Sequence, residues 1–171
     1  MEKPTLVVVT GPPGAGKTTI AAALRERLGL PLIAKDTLKE ALGDALEFDG
    51  DRRESQRLGV ATFHVQFAVV HELLATHVSV IAEGNFHARW FETLPPADIT
   101  QVHVWAEPAT LRERLLARDT HRHPVHYDRD AADEIAERAA AGEWGPLAIG
   151  GRLVTIDTTV WPDLGEVLAA I

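Results

Sequence analysis

Apolar positions in this chain fall into short unbroken runs separated by stretches of helical periodicity. Thr5 to Thr10 (TLVVVT) is a continuous β-branched run, the pattern of a strand buried on both faces. Leu30 to Ala34 (LPLIA), Val78 to Ala82 (VSVIA), Ile99 to Ala106 and Arg152 to Ile156 (RLVTI) repeat it. Helix formers lie between them: Thr19 to Leu28, closed by Gly29 at C′, then Glu54 to His77, Pro108 to Asp119, Asp130 to Ala141 and Asp163 to Ile171. A further helix opens at Asp36-Thr37-Leu38-Lys39-Glu40, where Thr37 and Glu40 have capping-box spacing and set Asp36 one residue outside it. In the 54–77 helix, Leu58, Ala61, Val65, Val69 and Leu73 form one stripe. Phe63, Phe67, Val70 and Leu74 widen it, so much of this helix is expected to be buried.

Strands alternating with helices predict an α/β fold: one domain over residues 1–171, with a three-layer, doubly wound five-stranded parallel sheet. Ligands of such sheets sit at the carboxyl ends of the strands. Residues 11–18, Asp36, Glu83 to Phe86, Glu107 and Asp157 to Thr159 therefore belong to one candidate site.

The most informative of these segments is Gly11-Pro12-Pro13-Gly14-Ala15-Gly16-Lys17-Thr18, followed by Thr19 in the helix. It has the P-loop pattern G-x-x-x-x-G-K-[ST], in the strand–loop–helix context the pattern requires. Glycines let backbone N–H groups close around phosphate oxygens, and the following helix aims its positive end at them. Lys17 is expected to reach the β- and γ-phosphates of ATP, and the Thr18 hydroxyl to meet Mg²⁺.

Composition narrows the partners. The 171 residues carry a formal net charge of -8, which disfavours a nucleic-acid-coating protein. There is no cysteine, hence no disulfide, Cys-ligated zinc or thiol chemistry. The first strand begins too early for a signal peptide, and the apolar runs read as shorter than a membrane span, so a cytoplasmic enzyme without a membrane partner is expected.

Two carboxylates stand at strand ends. Asp36 follows the second strand and could accept a proton from a hydroxyl attacking a γ-phosphate; it could equally be a plain helix cap. Glu83, in Val80-Ile81-Ala82-Glu83-Gly84-Asn85-Phe86, looks like a Walker B acid that supports Mg²⁺, with Asn85 beside it as a substrate contact. Arg114 and Arg118 share a helix face and Arg122 follows, a spacing suited to phosphate or to a solvated ion-paired face.

These motifs resemble the small P-loop kinases: the shikimate, gluconate and adenylate kinases, chloramphenicol phosphotransferase, polynucleotide kinase and the zeta-toxin group. The resemblance implies a P-loop kinase fold with a helical or loop lid over about 118–130. It implies that Asp36 activates the acceptor, Arg114 covers the base, and Arg118 and Arg122 reach phosphate. It also puts the Asp157-Thr158-Thr159 turn at the adenine edge. The D-x-D of shikimate kinases, the paired lid cysteines of zinc-bearing adenylate kinases and the D-G-[FY]-P-R element are absent, so the acceptor stays open.

The expected activity is phosphoryl transfer from ATP to a hydroxyl of a small molecule. A regulatory NTP-hydrolysing module and a kinase of nucleic-acid ends are the alternatives. His64 and His71 share a helix face with Arg57 and could line the acceptor pocket, with Arg53 or Arg57 holding an anionic group, or they are plain core or surface histidines. His121, His123 and His126 suit a lid better than a zinc site.

Overall fold

The computed structural model describes residues 2–118, 122–169 and 171. Five parallel strands form its sheet: β1 (Thr5–Thr10), β2 (Leu32–Ala34), β3 (Val80–Glu83), β4 (Asp98–Trp105) and β5 (Arg152–Asp157), in the order β2-β3-β1-β4-β5. The central β1 pairs Val9 with Glu83 on one side and with Val102 on the other. The helices are α1 (Lys17–Leu28), α2 (Lys35–Ala45), α3 (Arg52–Ala75), α4 (Pro108–Leu116), α5 (Ala132–Ala140) and α6 (Leu164–Ala169), with a short 3-10 helix at Ala88–Phe91.

The period-2 geometry of β1 builds two cores from one strand. Val7 and Val9 face Ile20, Leu24, Val104 and Leu111, under α1, α4 and α6. Leu6 and Val8 face Phe67, Val70, Leu74 and Phe86, under α3. Both faces being covered explains why the strand reads as an unbroken apolar run, and it is the three-layer arrangement expected.

Several local expectations change. β2 runs straight into α2 with Ala34 as N-cap, so Thr37 caps nothing and Asp36 lies inside the first helical turn. A three-residue strand leaves no linker in which a capping box could form. The reciprocal box forms instead at α3, where Asp51 accepts from the Glu54 N–H and Glu54 from the Asp51 N–H. At α1, Gly16 is the N-cap, which places Lys17 and Thr18 in its first turn.

The largest departure is the rotation of α3. Its buried positions are Ser55, Gly59, Thr62, Gln66, Phe67, Val70 and Leu74, while Ala61, Val65 and Val69 of the expected core stripe face solvent. The inner face is polar because Gln66 caps two strand ends: its Nε2 donates to Ile33 O at 2.8 Å and to Glu83 O at 2.9 Å. By length and composition alone α3 could cross a membrane, contrary to the sequence reading, yet its inner face packs on the sheet.

Candidate active site

The loop between β1 and α1 folds as a cradle. Gly14 and Gly16 have φ of 86° and 89°, a left-handed conformation that only glycine adopts without strain. A Cβ on Gly16 would come within 2.6 Å of the Trp161 ring. Pro12 and Ala15 lie buried beneath the loop, and so does Gly11, where a Cβ would overlap Val104 O. Lys17 Nζ donates to Pro12 O at 2.9 Å, so the ammonium folds back over the loop.

Arg114 is clamped to the far wall. Its guanidinium donates to Gly14 O, to Thr158 Oγ1 and to Thr158 O, and lies 5.9 Å from the Trp161 ring centroid. Thr158 is fully buried and donates to Ala15 O at 2.7 Å, tying the turn after β5 to the P-loop. Asp157 is exposed and accepts from the Thr159 N–H.

Across the cradle stand the two carboxylates. Glu83 ends β3, buried. Asp36 has Lys35 Nζ at 3.6 Å and accepts from Arg122 Nη2 at 3.1 Å. Arg118 and the other arm of Arg122 both donate to Asp128. Pro13, Gly14, Gly16, Lys17, Thr18, Thr19, Asp36, Glu83, Asn85, Arg114, Arg118 and Arg122 thus line one cleft of about 250 Å³. Arg57 is not among them: it is exposed on α3, because the helix turns that face outward.

A second cavity of about 460 Å³ opens from the first through Pro13, Lys35, Asn85 and Asp128. Lys39, Arg52 and Arg138 join Lys35 as its cations, with Asp128 and Glu134 as its carboxylates. Arg52 and Arg138 are paired to Glu134. Lys39 has no carboxylate within salt-bridge distance among the described residues; its ammonium donates to Ser55 Oγ at 2.7 Å and Val125 O at 2.8 Å. Sequence reading missed Lys35, Lys39, Arg52, Asp128 and Arg138. Lys35, immediately before Asp36, was the one with a positional signal.

Residues 122–131 dock onto α2 and α3. His126 pairs with Glu40 at 2.7 Å and His123 with Asp44 at 2.9 Å, while Tyr127 donates to Gly50 O. No three potential metal ligands cluster among the described residues, and His121 lies outside them.

The electrostatics are those of a site prepared for anions. Burial lowers the pKa of Lys17 by more than Glu83 and Asp36 raise it. Burial likewise lowers Arg118, with Arg122 adding to it. Burial would raise Asp36, but Lys35, His126, Arg122 and Lys17 outweigh it and keep the carboxyl below its usual range. Glu83 goes the other way: burial raises it by more than Lys17 lowers it. A buried acid without an ion-pair partner among the described residues, lining the same cleft as the Thr18 hydroxyl at a helix start, is a donor set that fits a hard divalent cation.

A parallel sheet with a P-loop after its central strand and paired acids across a cationic cleft defines the P-loop kinase class. The chain belongs to the AAA domain family, whose profile matches residues 7–137. It is similar to a shikimate kinase of Symbiobacterium thermophilum, with 30% identity over 79% of this chain and 77% of the relative. It is also similar to a cytidylate kinase of Halorubrum lacusprofundi, with 27% identity over 82% and 83% of the two chains. A crystal structure of a candidate kinase from Chloroflexus aurantiacus J-10-fl superposes with a TM-score of 0.87, at 33% identity over 99% and 97% of the chains. Nucleotide-dependent phosphoryl transfer is the activity these relatives support.

Proposed function

We propose that this kinase uses ATP and Mg²⁺ to phosphorylate a hydroxyl of a small acceptor that carries an anionic group. The observation that carries the reading is Asp36, held in the P-loop cleft between Arg122 and Lys35, the latter also lining the cationic cavity. Gly11 to Thr19 would hold the polyphosphate, with Arg114 against the base and Thr158, buried behind it, clamping that arginine. Mg²⁺, held through Thr18 and Glu83, would neutralise charge on the β- and γ-phosphates.

Asp36 would orient the acceptor hydroxyl and take its proton as the oxygen bonds the γ-phosphorus. The bond from that phosphorus to the bridging oxygen breaks, and ADP leaves. The transition state is loose, so positioning and charge matter more than base strength, and an ionised Asp36 suits both. Lys17, Arg118 and Arg122 would spread over the equatorial oxygens. Both arginines wait on Asp128 and can exchange it for phosphate, with segment 118–130, of which 119–121 lie outside the described residues, acting as the lid.

The acceptor class follows from the second cavity. Four cations face two carboxylates there, in a chain of net charge -8. Among the described residues Lys39 is the cavity cation with no carboxylate within salt-bridge distance, and Asn85 lines both cavities. The cytidylate kinase relative favours one second reading, a phosphate acceptor. The acidic balance argues against nucleic-acid ends. Supplies of ATP and Mg²⁺ fit a cytoplasmic location.

The test is transfer of γ-labelled phosphate from ATP with Mg²⁺ to four acceptor panels: hydroxylated carboxylates, neutral polyols, nucleosides and nucleoside monophosphates. Label in the first panel is expected. Label in the fourth alone supports the second reading, and hydrolysis that no acceptor stimulates overturns both.

A further inference from the structure

The outer side of α3 is an apolar face that none of the described residues covers. The helix contains an 18-residue window of mean hydropathy 1.4, yet only 33% of that window is buried. Val65 and Val69 are 41% and 37% exposed, and Ala61, His64 and Ala68 are exposed beside them. Shallow apolar depressions flank the stripe, one at Phe67, Trp90 and Leu94 and one at Val69 and Leu73. Such a patch on a monomer marks an interaction surface.

The arrangement of the stripe names its occupant. Its midpoint falls between His64 and Val65. Ala61 and Ala68 lie equally far from that point, and so do Arg57 and Glu72 at its two ends. With 3.6 residues per turn these four side chains share the solvent face, opposite buried Gly59, Gln66 and Val70. Arg57 has no ion pair among the described residues, and the one ionic neighbour of Glu72 among them is His71, at 3.7 Å. Opposite charges at equal distances from a midpoint are self-complementary under a twofold axis through it.

The geometry points to an isologous homodimer in which α3 packs antiparallel on α3 of a second copy. Ala61 meets the partner's Ala68, small enough for the helices to approach closely, and Arg57 pairs with the partner's Glu72. The contact repeats by symmetry and runs about 22 Å along each helix, at 1.5 Å per residue. A lipid surface fits less well, because the acidic Glu72 closes one end of the stripe, where membrane-surface helices carry Lys and Arg.

Sedimentation velocity of the full chain over a concentration series tests this, with Arg57→Glu, Glu72→Arg and the double variant. The wild type is expected to dimerise. Each single swap sets two like-charge pairs face to face and should weaken the dimer about tenfold or more. The double swap should restore it to within about threefold of wild type, because both pairs are re-formed in reverse. Ala68→Glu should leave a monomer with an unchanged far-UV spectrum and thermal midpoint. A wild type that stays monomeric at every concentration overturns the inference, as does a dimer indifferent to all the swaps. So does a monomer that instead binds phosphatidylcholine–phosphatidylglycerol vesicles.

Discussion

Arg122 holds Asp36 and Asp128 with the two arms of one guanidinium, reaching Asp36 Oδ2 at 3.1 Å. The segment after α4 is thereby fastened to the acid in the first turn of α2. The cation that would serve the phosphates also fixes the orientation of the carboxylate that would serve the acceptor.

Asp36→Asn should keep ATP affinity within about threefold by calorimetry while transfer falls about 10²–10⁴-fold, the usual range for a positioned acid or base. The surrounding cations depress the Asp36 pKa, so wild-type transfer should stay flat down to about pH 5 on its acid side. An acid limb centred near neutrality would belong to another group.

Burial disfavours the charge on Lys39. Burial, with Lys35 adding to it, lowers its pKa to about 8 from 10.5. Between those values the unfolded chain binds more protons than the folded one, so the Lys39 contribution to stability rises with pH across that window. Lys39→Met should therefore be as stable as wild type or more so at pH 7, and should lack the rise from about pH 8 to 10.5 in denaturant titrations. The same variant should raise the KM for an anionic acceptor tenfold or more, at roughly one lost charge-assisted contact.

Asp128 binds two guanidiniums, and together they hold its pKa below the ordinary value although burial acts to raise it. Its contribution to stability is complete above the unfolded value of about 3.8 and is lost as pH falls through the lower folded value. Asp128→Asn should cost about 1–2 kcal/mol at pH 7, for a half-buried pair, and the gap to wild type should close on acidification below about pH 4. Thermal midpoints at a series of pH values measure both.

Glu83→Gln should raise the Mg²⁺ concentration needed for half-maximal transfer about 10–100-fold, with little change in fold stability. Burial already raises its pKa, so the neutral amide removes an unfavourable charge from the folded chain. A metal requirement identical to wild type would take Glu83 out of the metal site.

The P-loop, the five strands and the crowding of Asp36, Glu83 and the arginines at strand ends were legible because each is local: a motif, a run or a spacing. The rotation of α3 was not. Valines and alanines on that helix outscore Thr62 and Gln66 in any hydrophobic pattern, but Gln66 is buried for its hydrogen bonds to two strand ends. Arg57 left the site with the same rotation. Lys39, Arg52 and Arg138 entered it from three different helices, and only tertiary packing brings them together. The Thr37 capping signal failed because β2 reaches α2 without an intervening loop.

Gln66 grips the carbonyls of Ile33 and Glu83 with one amide nitrogen. The strand leading to Asp36 and the strand ending in Glu83 are therefore yoked to a single turn of α3, whose opposite side is the Ala61–Ala68 face. Glu83 is also paired with Val9 at the root of the P-loop, so the spacing between the two acids and their distance to that loop are set by one hydrogen-bonded frame.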